Sequence, residues 1–266
     1  MGDATRTSER RAPAQSSRLT PATTLRPLGK LLGAAWLLGL GLGALAIAWA
    51  SRVYFDSDEL APFVIEKLPL PHEDLWLGAL KIHVATTSFA LPACLLLSLG
   101  CLRRFPRLHR WLGRATGAIV LAGLVPSGLY LSLFAKGGAA ATVGFGLSGL
   151  IVSVAMVQGV RRARAKDYVG HRRCALHVLA QLSVAVTSRA LLNLLDTLGI
   201  NPEPAYLFAL WIPVLASSGF VEARISRRSH RRNSHAPKTL ARRPVSLRPS
   251  LGSLSGARPD RLGDVV

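Results

Sequence analysis

Two ionisable residues interrupt long uncharged stretches, and chemistry in this chain would have to start there. His83 lies in a run that is uncharged after Lys81, and Arg189 breaks the run from Cys174 to Leu195. Thr86, Thr87 and Ser88 follow His83, while Thr187 and Ser188 precede Arg189, so hydroxyls stand beside both. An arginine stays charged in any protein environment. A buried, unpaired charge is costly, so Arg189 calls for an anion or several carbonyl oxygens. Asp196 on the same helix is one counter-group; a small anionic or quinone-like ligand is another. The competing arrangement has Arg189 reaching out to lipid headgroups and His83 bonding a carbonyl of a neighbouring helix.

A second set of polar residues lies at the other end of the same elements. It comprises His109, Arg110, Gly113 and Arg114, then Asp167, His171, Arg172 and Arg173, with His177 six residues beyond His171. Histidines on facing helices can ligate haem iron, which makes His109 and His177 candidate ligands of a haem b. Two bis-histidine haems would need four in-span histidines at two depths, more than this chain offers. The alternative is structural, with the arginines binding lipid phosphate and His109 bonding backbone. Cys94, Cys101 and Cys174 are too few for a disulfide framework or a cysteine-built zinc site. No metal site is expected. A dinucleotide fingerprint, P-loop, HExxH and nucleophile elbow are all missing, so no catalytic residue is assigned and enzymatic activity stays open.

The elements that must position these residues follow from composition. The 266 residues carry 33 Lys and Arg against 14 Asp and Glu, a formal charge of +19. Half are apolar and only 18% charged, below the roughly 25% of a soluble domain. Charge and apolar surface are segregated along the chain, and each part can then meet a different solvent. A bilayer core about 30 Å thick takes about 20 apolar residues in a helix. Windows of that kind run over residues 31–50, 75–102, 115–135, 139–160, 174–195 and 205–221. They are apolar all round, whereas the helices of a soluble bundle are apolar on one stripe. The expected fold is an all-α polytopic transmembrane bundle of six helices, with a four-helix core formed by helices two to five.

The connecting segments set the orientation. Residues 1–30, 102–115, 160–173 and the tail from Glu222 carry six, five, six and eleven Lys and Arg. The alternate connections, 51–76, 136–138 and 196–204, carry two, one and none. The positive-inside rule then puts both termini in the cytoplasm, with the basic flanks facing anionic headgroups. The run RISRRSHRRNSH follows a span with no recognition fold beside it, so lipid, not nucleic acid, is its expected partner. Residues 48–50 resemble a cleavage site, but the preceding apolar run is too long for a signal peptide, and a retained first helix is expected. The expected division is a disordered basic segment at 1–30, the first span at 31–50, an acidic external loop at 51–74, the core at 75–195, the sixth span with its loop at 196–222, and a disordered basic tail at 223–266.

The stretch from His83 to Arg189, with PRLHRWLGR at 106–114, RRARAKDYVGHRR at 161–173 and VAVTSR at 184–189, resembles the bacterial predicted membrane proteins grouped as domain of unknown function 2306. His83, His109, Arg110, Gly113, Arg114, Asp167, His171, Arg172, Arg173 and Arg189 match that pattern. After the paired arginines the family continues with an aromatic residue, Met, one further residue and Arg, where Cys174, Ala175 and His177 stand here. The resemblance implies the helical topology, the bacterial inner membrane and this set of residues; it implies no activity. The expectation is an integral membrane protein with a small intramembrane polar site at His83 and Arg189, able to oligomerise. The alternative is a b-type haem electron-transfer protein.

Overall fold

The computed structural model describes residues 25–55, 61–70 and 72–234. Among them there is no strand, and six helices are long and apolar enough to cross a membrane. Helix α1 (Leu25–Ala50) ends in a short 3-10 turn, Ser51–Phe55, and is followed by the small helix α2 (Pro62–Lys67). Helix α3 (Glu73–Ser98) is the second span. The third is built from α4 (Pro106–Ile119), a π turn (Val120–Leu124) and α5 (Val125–Ser132). Helices α6 (Gly138–Arg164), α7 (Tyr168–Thr197) and α8 (Pro202–Ser234) complete the set. The described residues up to Ile225 form one compact unit and those from Ser226 another.

The helices outrun their apolar windows mainly at the basic ends. The motif around His109, expected as a connection, lies inside α4, which starts at Pro106 where a missing N–H costs nothing. His171, Arg172 and Arg173 form the first turns of α7. Its N-cap is Asp167, whose carboxylate accepts the Gly170 N–H at 2.9 Å and the Arg162 guanidinium at 3.2 Å. Nor does the disordered tail begin at 223, because α8 continues to Ser234 and its Arg-rich end carries no Pro or internal Gly to stop it. Most of the two expected disordered segments lies outside the described residues.

The central core joins Ala90 and Leu91 of α3, Val120 and Leu124 of the π turn, Val152 and Ala155 of α6, and Val178 and Leu182 of α7. Ala44 of α1 enters the same cluster. A second cluster, Ala141, Val184, Leu210 and Val214, seats α8 against α6 and α7. Small residues permit these approaches: a Cβ on Gly144 would meet Leu210 Cδ2 at 2.8 Å, and one on Gly123 would meet Thr86 Cγ2 at 2.6 Å. Gly146, on the same helix, has open space instead. Outward-facing Leu31, Trp36, Leu38, Leu42 and Trp49 leave α1 with the apolar exterior that lipid requires.

Candidate functional site

The site begins with a defect in the third span. Pro126 has no N–H for the helical ladder and its ring crowds the preceding turn. The backbone widens ahead of it, and the Val125 N–H donates to Val120 O, five residues back. Ser127 and Gly128 emerge from this turn facing α3. The Ser127 hydroxyl donates to Gly123 O at 2.6 Å and lies 3.5 Å from His83 Nδ1. Because that hydroxyl hydrogen is already committed to a carbonyl, the oxygen offers His83 a lone pair. Gly128 makes room for the ring, since a Cβ there would stand 3.0 Å from His83 Cε1 and 3.2 Å from Nδ1.

The opposite side of His83 borders a cavity of about 100 Å³. Its walls come from three spans: Ala44, Ile47, Ala48 and Ser51 at the end of α1; His83, Val84, Thr87, Ser88 and Leu91 on α3; Ala185 and Arg189 on α7. The two residues singled out by type and spacing both line this cavity. The first helix, expected to stand outside the site, supplies an entire wall of it.

The expected hydroxyl partners behave differently. Thr87 donates to His83 O at 2.7 Å, Thr86 to Ile82 O at 2.7 Å, and Thr187 to Ser183 O at 3.1 Å. Each closes on its own helix, the nearest acceptor for a side chain this short. Arg189 is exposed and donates to Ala185 O at 2.8 Å. Among the described residues no carboxylate pairs with it, Asp196 included. Asp56, Asp58 and Glu59 lie outside the described residues. Four of the five guanidinium N–H donors thus remain for the cavity and its mouth.

At the other end of the bundle the second set is spread over α4 and α7, with Arg110, Arg114, Arg172 and Arg173 exposed. The His171 Nδ1–H donates to Gly159 O at 2.9 Å, and His171 is close enough to act electrostatically on His109. His109 Nδ1 is buried without a hydrogen-bond partner. A Cβ at Gly170 would meet the side-chain ends of Arg162 and Asp167, which would have to shift. His177 Nε2 contacts Glu222 Oε1 at 2.9 Å, and Arg173 donates to Glu222 Oε2 at 2.6 Å. A haem bound through His177 Nε2 would have to displace that carboxylate. No group of three or more potential metal ligands occurs among the described residues.

Two polar centres were missed in the sequence. Glu222 is one, hidden among the charges that follow the sixth span. The other is Gln181, 3% exposed in mid-bundle. Its amide nitrogen lies 3.1 Å from Val214 O, 3.0 Å from Ser217 Oγ and 2.7 Å from Ser218 Oγ, while Ser148 donates to its oxygen at 2.8 Å. A lone glutamine in an apolar run was the available signal, since an amide at that depth needs partners.

Six hydrocarbon-length helices, three of them lining one cavity, define a multi-pass membrane protein of the all-α class. The family described as predicted membrane protein (DUF2306) matches residues 80–223, and the chain belongs to it. Neither a curated protein nor a solved structure matches. The match begins within α3, so the α1 wall of the cavity lies outside it.

Proposed function

We propose that this is an integral protein of a bacterial inner membrane, with both termini in the cytoplasm and a ligand-binding cavity in the outer half of the bundle. The ligand is a small oxygen-bearing molecule, anionic or quinone-like, held by Arg189 and His83. The observation that carries this reading is the convergence of those two residues, from α3 and α7, on one cavity with an apolar α1 wall. The charge asymmetry of the connections supports the orientation. On the inner side the described acids, Asp167 and Glu222, are both engaged locally, and the exposed Arg107, Arg110, Arg114, Arg224 and Arg227 are open to anionic headgroups.

Accessibility tests the cavity and its sidedness together. In a background with Cys94, Cys101 and Cys174 replaced by serine, Ser88→Cys reacts with a water-soluble methanethiosulfonate applied to the outer face. Ala90→Cys, at a position 0% exposed, stays unreactive. Failure to label Ser88→Cys from either side overturns the cavity; labelling only from inside, or a carboxyl-terminal phosphatase fusion active outside the cell, overturns the orientation.

A further inference from the structure

We propose that the cavity takes the carboxyl head of a single-chain amphiphile, its oxygens facing Arg189 and one proton shared with His83 Nε2. The inference rests on the ligand-site reading above and narrows its chemistry. Arg189 is a permanent cation with no carboxylate partner among the described residues and one carbonyl contact of its own. A negative planar group with two oxygens is its best complement, because a guanidinium meets a carboxylate through two parallel N–H donors.

His83 adds the second half of the recognition. The Ser127 hydroxyl hydrogen is used by Gly123 O, so the facing His83 Nδ1 carries the ring hydrogen. The neutral ring then has its lone pair at Nε2, and His83 lines the cavity. A bare carboxylate oxygen against that lone pair would be repelled. With one proton taken up, the ring Nε2–H donates to one carboxylate oxygen while the other oxygen accepts from Arg189. The ligand arrives as a carboxylate, and the proton comes from water.

Volume and wall chemistry fix the remainder. About 100 Å³ gives room for a carboxyl group and its first methylenes. Ala44, Ile47, Ala48 and Leu91 present hydrocarbon to those methylenes, and the rest of the chain lies in lipid.

Calorimetry of decanoate binding to the full chain in nanodiscs at pH 8, in buffers of different ionisation enthalpy, tests this. Decanoate binds with uptake of one proton, and decanol binds at least tenfold more weakly. Arg189→Gln weakens decanoate at least tenfold while melting like the parent protein; His83→Gln removes the proton uptake. Equal affinity for decanoate and decanol, or unchanged decanoate affinity in Arg189→Gln, overturns the proposal. Arg189-dependent binding of decylubiquinone without decanoate binding overturns the carboxyl assignment and leaves the ligand site standing; an unreactive Ser88→Cys removes both.

Discussion

Gly128 on α5 and the His83 ring on α3 fit edge to backbone, with a Cβ at 128 placed 3.0 Å from Cε1. Gly128→Ala therefore pushes the imidazole by a few tenths of an ångström and costs about 1 kcal/mol, at the low end for overpacking a tight contact. The expected result is a lower thermal midpoint together with a changed rate of Ser88→Cys labelling. A labelling rate identical to that of the parent would show that the glycine does not set the ring position.

Gln181 ties α6, α7 and α8 through one amide. Gln181→Leu removes the amide but leaves Ser217 bonded to Val214 O at 3.1 Å within its own helix. Interhelical bonds in lipid average about 0.6 kcal/mol, so several lost together give a loss of about 1 to 2 kcal/mol. Reversible unfolding in mixed micelles measures it.

Glu222 carries both Arg173 and His177, at 2.6 and 2.9 Å. Its side chain is 47% exposed, and screened pairs of that kind contribute at most about 1 kcal/mol. Glu222→Gln should lower stability by that amount in dilute buffer, and 1 M salt should shrink the difference. A difference that persists in high salt would point to packing instead of charge.

The same contact bears on haem. With His177 Nε2 engaged by Glu222, the purified protein is expected to show no Soret band. A band that disappears in both His109→Ala and His177→Ala would establish the electron-transfer alternative.

Outside the spans, α2 is pinned to the loop after α5: the Lys67 ammonium donates to Phe134 O at 2.7 Å, and Lys136 pairs with Glu66. The Lys136 ammonium holds the Glu66 carboxyl below its ordinary value of 4.5. A depressed carboxylate contributes its full stabilisation above the unfolded value and loses it as pH falls through the folded one. Hydrogen exchange of Pro62–Lys67 should therefore be unchanged from pH 8 down to 5 after correction for intrinsic rates, and should accelerate below about pH 4. Lys136→Met should abolish that acid step.

How much of the site was legible follows from its parts. His83 and Arg189 stood out because an ionisable group is conspicuous in an apolar run. The task of Ser127 and Gly128 became visible only when the π turn ahead of Pro126 aimed them at His83. Ala44 and Ala48 carried no signal, because a wall is made of shape and any small apolar residue spells it alike. The helical state of the His109 motif was obscured by its charge, which resembles a loop, although Pro106 stands where a helix can start.

The amino-acid order alone determined the solvent, the number of crossings and the side on which positive charge gathers, since hydrocarbon thickness and arginine hydration act on each segment independently. Which helices touch, which hydroxyls turn back on their own backbone, and that α1 closes the space between His83 and Arg189 were decided by tertiary packing. Those outcomes depend on contacts between residues far apart in the chain, and a local pattern holds no record of them.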